Sequence, residues 1–68
     1  MLGEWRCNKG ANIWYYVVNG LTRIVIFPRS DNKWAAYPHW SAHANPSHAI
    51  LYDSLEAAKV ASLMRYYA

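Results

Sequence analysis

Hydrophobic positions along the chain first alternate with polar ones and later recur at helical spacing, which predicts a sheet followed by a helix. The clearest stretch covers residues 14–27. It reads Trp14-Tyr15-Tyr16-Val17-Val18, then Asn19-Gly20, then Leu21-Thr22-Arg23-Ile24-Val25-Ile26-Phe27. Aromatic and β-branched runs around Asn-Gly predict a two-residue hairpin, because both turn residues tolerate the positive φ of a type I′ turn. The turn sets a register in which Val18 faces Leu21, Tyr16 faces Arg23 and Trp14 faces Val25. Alternation then sorts the side chains onto two faces. Ile13, Tyr15, Val17, Thr22, Ile24 and Ile26 form the expected core face. Trp14, Tyr16, Val18, Leu21, Arg23, Val25 and Phe27 form the expected open face.

The flanking segments extend this plan. Trp5 and Cys7 read as anchors beside the sheet, with an optional short strand at 4–7 and a loop at 8–12. Pro28-Arg29-Ser30-Asp31-Asn32 is a turn that ends the second strand. A third strand starts at Lys33 and reaches Trp40 if Pro38 lies on an edge, where its missing N–H breaks no ladder bond. It would place Lys33, Ala35, Tyr37 and His39 on one side, and Trp34, Ala36 and Trp40 on the other. Residues 41–48 read as a loop, and 49–52 as either a fourth strand or a core plug. Asp53 as N-cap with Glu56 three residues on is a capping-box pattern, so a helix is expected over about 54–67. Helical spacing puts Ala57, Val60, Ala61, Leu63, Met64 and Tyr67 on one stripe, with Lys59, Ser62, Arg65 and Tyr66 opposite. The expected fold is therefore α+β: a three-stranded, at most four-stranded, antiparallel sheet at about 12–40 with one C-terminal helix on one face. A single helix cannot shield both faces of a sheet, so the second face is expected to meet a partner.

Composition narrows the class. The 68 residues form one expected domain, 1–68, and 54% hydrophobic content is enough for a packed core. Cys7 is the only cysteine, which rules out an internal disulfide and points to a reducing compartment, taken as the cytoplasm. No apolar run is long enough to span a membrane, and the N-terminus lacks an apolar signal core. The chain reads as a complete small protein acting by binding. A net charge of +3 permits contact with nucleic acid or with an acidic protein surface.

Candidate chemistry is sparse. His39, His43 and His48, with Cys7 far upstream, match no zinc spacing, so they read as loop histidines; no metal and no cofactor is expected. The carboxylates are scattered, and no phosphate-binding loop or nucleophile elbow occurs, so no enzymatic activity is expected. Cys7 reads as a small buried hydrophobe. The constellation with binding chemistry is Trp14, Tyr16, Arg23, Arg29, Lys33, Tyr37 and His39. Arginine and lysine contact phosphates, arginine also reads guanine, and aromatics on a sheet stack on bases.

Asp31-Asn32-Lys33-Trp34-Ala35-Ala36 and Tyr52-Asp53-Ser54-Leu55-Glu56-Ala57-Ala58-Lys59 resemble two pieces of the plant ethylene-response-factor DNA-binding domain and the related arm-binding domain of phage integrases. The first is similar to that family's third-strand Lys-Trp motif and the second to its helix entry. The resemblance spans about residues 12–67. It implies a three-stranded sheet with a packed C-terminal helix, reading DNA through Arg23, Arg29, Lys33 and Trp14. This chain has fewer strand arginines than the family and an added 41–48 loop. In size and style it is also similar to small phage-encoded inhibitors of the anti-CRISPR or anti-restriction type. Such a protein would use the same face to block a host nucleic-acid-handling protein. Homodimerisation through that face is a third reading.

Overall fold

The computed structural model describes residues 3–39 and 49–67. Five strands run in chain order: β1 (Gly3–Asn8), β2 (Ile13–Val18), β3 (Leu21–Pro28), β4 (Trp34–Pro38) and β5 (Ile50–Tyr52). They form one antiparallel meander in the order β1-β2-β3-β4-β5, and helix α1 (Leu55–Tyr67) follows. The fold is α+β as expected. The sheet is wider than expected because both marginal segments, at each end of the meander, pair into it. Trp40 and the expected loop at 41–48, with His43 and His48, lie outside the described residues.

The Asn-Gly turn forms as its chemistry requires. Asn19 and Gly20 have φ of 52° and 77°, and Val18 pairs with Leu21. Beyond that pair the register departs from the simple count. Val17 pairs with Thr22, but Tyr16 pairs with Ile24 and Trp14 with Ile26. Arg23 is the extra residue in this step, a β-bulge of the kind that adds one residue to one strand. A shift of one residue moves side chains to the other face. Ile24 and Ile26 thereby join Trp14 and Tyr16 instead of Tyr15 and Val17.

This corrects the expected faces of β2. The side that takes the helix holds Tyr16, Ile24, Ile26 and Ala36, all buried, with Trp5, Trp14, Val18, Trp34 and Tyr52 packed around them. It gathers the larger share of ring and aliphatic surface, and burial of that surface dominates folding. Tyr16 is only 3% exposed, and its ring lies 5.0 Å from that of Trp5. Gly3 makes room for it: a Cβ there would run into the Tyr16 ring.

The helix is also rotated from its expected setting. Leu55, Ala58, Leu63 and Tyr66 pack inward, and Ser62 is fully buried. Val60 and Met64 are 55% and 66% exposed. The small residues Ala58 and Ser62 lie four apart and let the helix backbone settle over β3, β4 and β5. Lys59 lies across the β1–β2 half of the same side. Its Nζ is 3.8 Å from the Trp14 ring centroid and 5.6 Å from that of Trp5. Its apolar stem thus helps roof the rings while the ammonium makes a cation–π contact. The helix cap moves by one residue as well. Ser54 Oγ accepts the Ala57 N–H at 3.1 Å, so Ser54 is the N-cap, and Asp53 forms an ion pair with Lys33. No helix among the described residues is long and apolar enough to cross a membrane.

Candidate functional site: the helix-free sheet face

The bulge decides which side chains remain on the open side. Cross-strand pairing sets Arg6 beside Tyr15, Tyr15 beside Val25 and Val25 beside Tyr37. One row of four residues therefore crosses β1 to β4. At about 4.8 Å between strands it extends roughly 14 Å. A second row runs Phe27, Ala35, Leu51 across β3 to β5, and a third runs Glu4, Val17, Thr22 across β1 to β3. Val25 and Ala35 are 5% and 1% exposed although no described element covers this face. Their larger neighbours shield them. The Phe27 and Tyr37 rings meet edge-on at 6.1 Å and 70°. Burial holds the Tyr37 phenol above its ordinary pKa, and the neighbouring Tyr15 pushes it the same way.

A shallow depression of about 250 Å³ lies at one edge of this face, lined by Arg6, Tyr15, Val17, Gly20 and Thr22. Arg6 is its cation, and its guanidinium donates to Glu4 Oε1 from Nε at 3.0 Å and from Nη2 at 2.6 Å. Both side chains are well exposed. Exposed pairs of this kind are weak, so an anionic ligand can compete for Arg6.

The residues expected to form the site are not one cluster. Tyr37 lies in the central row of the open face. Tyr16 and Trp14 lie on the helix side, one buried and one beneath Lys59, because the bulge places them there. Arg23 sits half-buried at the bulge, and its carbonyl accepts the His39 N–H at 2.8 Å. His39 is exposed at that same end of β4. Arg29 and Lys33 lie at the opposite end, in the β3–β4 turn. There the Arg29 N–H donates to the Lys33 carbonyl at 2.8 Å, and the Lys33 N–H donates to Asp31 Oδ1 at 3.2 Å. Arg29 lies six residue steps beyond Arg23, about 20 Å at ~3.4 Å per step. Arg29 Nε lies 3.5 Å from Asp31, and Lys33 ties the turn to Asp53 at the helix entry. The Asp53 hydrogen bond and charge hold Lys33 above its ordinary pKa, and Lys33 holds Asp53 below its own.

Arg6, Tyr15, Thr22 and Phe27 were missing from the expected site. Phe27 already stood on the expected open face. Glu4-Trp5-Arg6, which alternates as a strand does, was the sequence signal for Arg6. Tyr15 and Thr22 had none, because the bulge put them there. Among the described residues no group of three or more His, Cys, Asp or Glu could hold a metal ion. No family model, curated protein or solved structure matches the chain.

Proposed function

We propose that the chain is a non-catalytic binding protein that engages nucleic acid through its helix-free sheet face. The observation that supports this is the row Arg6, Tyr15, Val25, Tyr37, flanked by Phe27, on a face that no described element covers. Flat sheets carrying aromatic rings accept unstacked bases, and a guanidinium at the row's end supplies a phosphate or stacking contact. This chemistry suits single strands better than duplex, because stacking needs a free base face. The single Cys7 is in keeping with work in the reducing cytoplasm.

A specific observation favours a second reading, in which a protein is the partner, as for an inhibitor of a host nucleic-acid-handling complex. Arg6, Arg29 and Lys33 each have a carboxylate at ion-pair distance, so neither Arg6 on the face nor the β3–β4 turn presents an uncompensated positive charge. An aromatic, weakly charged face is typical of protein docking surfaces.

A salt-titrated anisotropy assay with labelled single-stranded DNA, single-stranded RNA and duplex separates the two. The nucleic-acid reading expects single-strand binding that weakens as salt rises, with a log–log slope of about −0.7 per phosphate contacted. Tyr15→Ala with Tyr37→Ala should weaken it at least tenfold, since each stacked base contributes about 1–3 kcal/mol. No binding at low salt, or binding indifferent to both tyrosines, rejects it and leaves the protein reading.

A further inference from the structure

We propose that β1 pairs edge to edge with β1 of a second copy of this chain, about a two-fold axis through Trp5, to make one continuous ten-stranded sheet. Among the described residues β1 pairs with β2 alone, so its other side is an edge. The sheet's two edges differ. β5 is three residues long, which is one way proteins blunt an edge, whereas β1 is a regular six-residue strand. It carries no proline and no bulge, and its burial alternates residue by residue. A strand of this kind is a ready template for pairing.

The charges select the register. In an antiparallel pair of identical strands, amides that point outward from one copy must meet carbonyls that point outward from the other. Outward-pointing residues alternate along a strand, so the two-fold must pass through a residue and not between two. Centred on Glu4 it would oppose two carboxylates. Centred on Arg6 it would oppose two guanidinium groups. Centred on Trp5 it sets Glu4 against the second copy's arginine at position 6, and Arg6 against its glutamate. The Glu4–Arg6 pair within each strand then joins its copy in a square of four alternating charges on the open face. The two Trp5 rings meet on the helix side, and Cys7 faces the small Gly3 position. Like charges directly opposite destabilise a strand pair, and opposite charges support it. The charges therefore fix the register, while the ladder hydrogen bonds and Trp5 contacts hold it. The charge square shares Arg6 with the face proposed to bind nucleic acid, but the edge-to-edge pairing does not rest on that reading.

Sedimentation velocity of the purified chain at rising concentration tests the proposal, with Glu4→Arg, Arg6→Glu and the double swap compared with wild type. Wild type is expected to sediment as a concentration-dependent dimer. Each single change should weaken the dimer about tenfold or more, and the swap should recover most of the loss. Both side chains are well exposed, so the variants keep the fold, and circular dichroism verifies this. A covalent readout is independent of charge. Glu4→Cys with Arg6→Cys, on a Cys7→Ser background, should oxidise to a disulfide-linked dimer, because directly opposed strand positions lie at disulfide distance. A monomer at all concentrations would overturn the proposal. So would a dimer indifferent to the single charge changes, a failure of the swap to recover, or the absence of the covalent dimer.

Discussion

The two faces of this sheet are built from similar residue types and end in different roles. On the helix side, Tyr16 is buried between Gly3 and Trp5, and Ile24 and Ile26 are fully enclosed. On the other side, Tyr15 and Tyr37 keep part of their rings accessible, while the small and β-branched residues between them are covered. Tyr15 and Tyr16 are neighbours in sequence, and hydropathy does not separate them. What separates them is one extra residue, Arg23, in the opposite strand. The lesson is that a single-residue bulge can assign a whole face to core or to surface.

Removing residues from β3 should break this difference most severely. Deleting Val25 would throw Ile26 or Ile24 onto the open face and misalign β4. It should leave the chain unfolded by circular dichroism, since the loss of one enclosed isoleucine, about 2–5 kcal/mol, together with the lost β4 pairing rivals the whole stability of a small domain. Deleting Arg23 should do far less, because Ile24 would then follow Thr22 in an unbroken ladder with every face preserved. If both deletions unfold the chain equally, the bulge is not what sorts the faces.

Side-chain truncation sharpens the same comparison at smaller scale. Tyr16→Ala should cost about 3–5 kcal/mol in urea unfolding, as large core aromatics do. Tyr15→Ala should cost clearly less, because its ring is not enclosed. Equal losses would place the two tyrosines in equivalent settings. Gly3→Ala should destabilise by about 1–3 kcal/mol, the usual range for overpacking, because the added methyl meets the Tyr16 ring.

The smallest effect concerns ionisation. The Tyr37 and Tyr52 phenols are both held above their ordinary value of 10.0, chiefly by burial. A raised pKa means that the neutral phenol is favoured by folding. The resulting stability is complete below pH 10 and is lost as pH rises through the raised values. Ultraviolet titration should show Tyr37 and Tyr52 ionising late, and Tyr15→Phe should bring Tyr37 slightly earlier by removing the unfavourable electrostatic contribution of its neighbour. An unchanged Tyr37 titration would separate the two rings.

Much of the fold was legible in the sequence because its signals are local. Asn19-Gly20 specifies its own turn, and Pro28 with the Asp31-Asn32 pair ends β3. The apolar run to Tyr67 is a helix. The facing of β2 was not legible, since the bulge depends on which set of side chains packs better once β1 and α1 are in place. The helix rotation failed for the same reason. Val60 and Met64 look like core residues, but the rings of Trp5, Trp14 and Trp34 need the room that Ala58 and Ser62 leave. The site followed the sheet. Tyr37 kept its place because β4 has no bulge, whereas Trp14 and Tyr16 changed sides with β2. Arg29 and Lys33 stand apart from Arg23 because they sit at opposite ends of one strand, a separation that residue type does not reveal.

The Arg6–Tyr15–Val25–Tyr37 face is proposed as the docking surface for single-stranded nucleic acid. The most direct test is amide NMR mapping during titration with a short single-stranded oligonucleotide at low salt. Shifts are expected to concentrate on those four residues, Phe27 and Thr22, with α1 unmoved. Shifts confined to the exposed Val60–Met64 side of the helix, or none at saturating oligonucleotide, would contradict it.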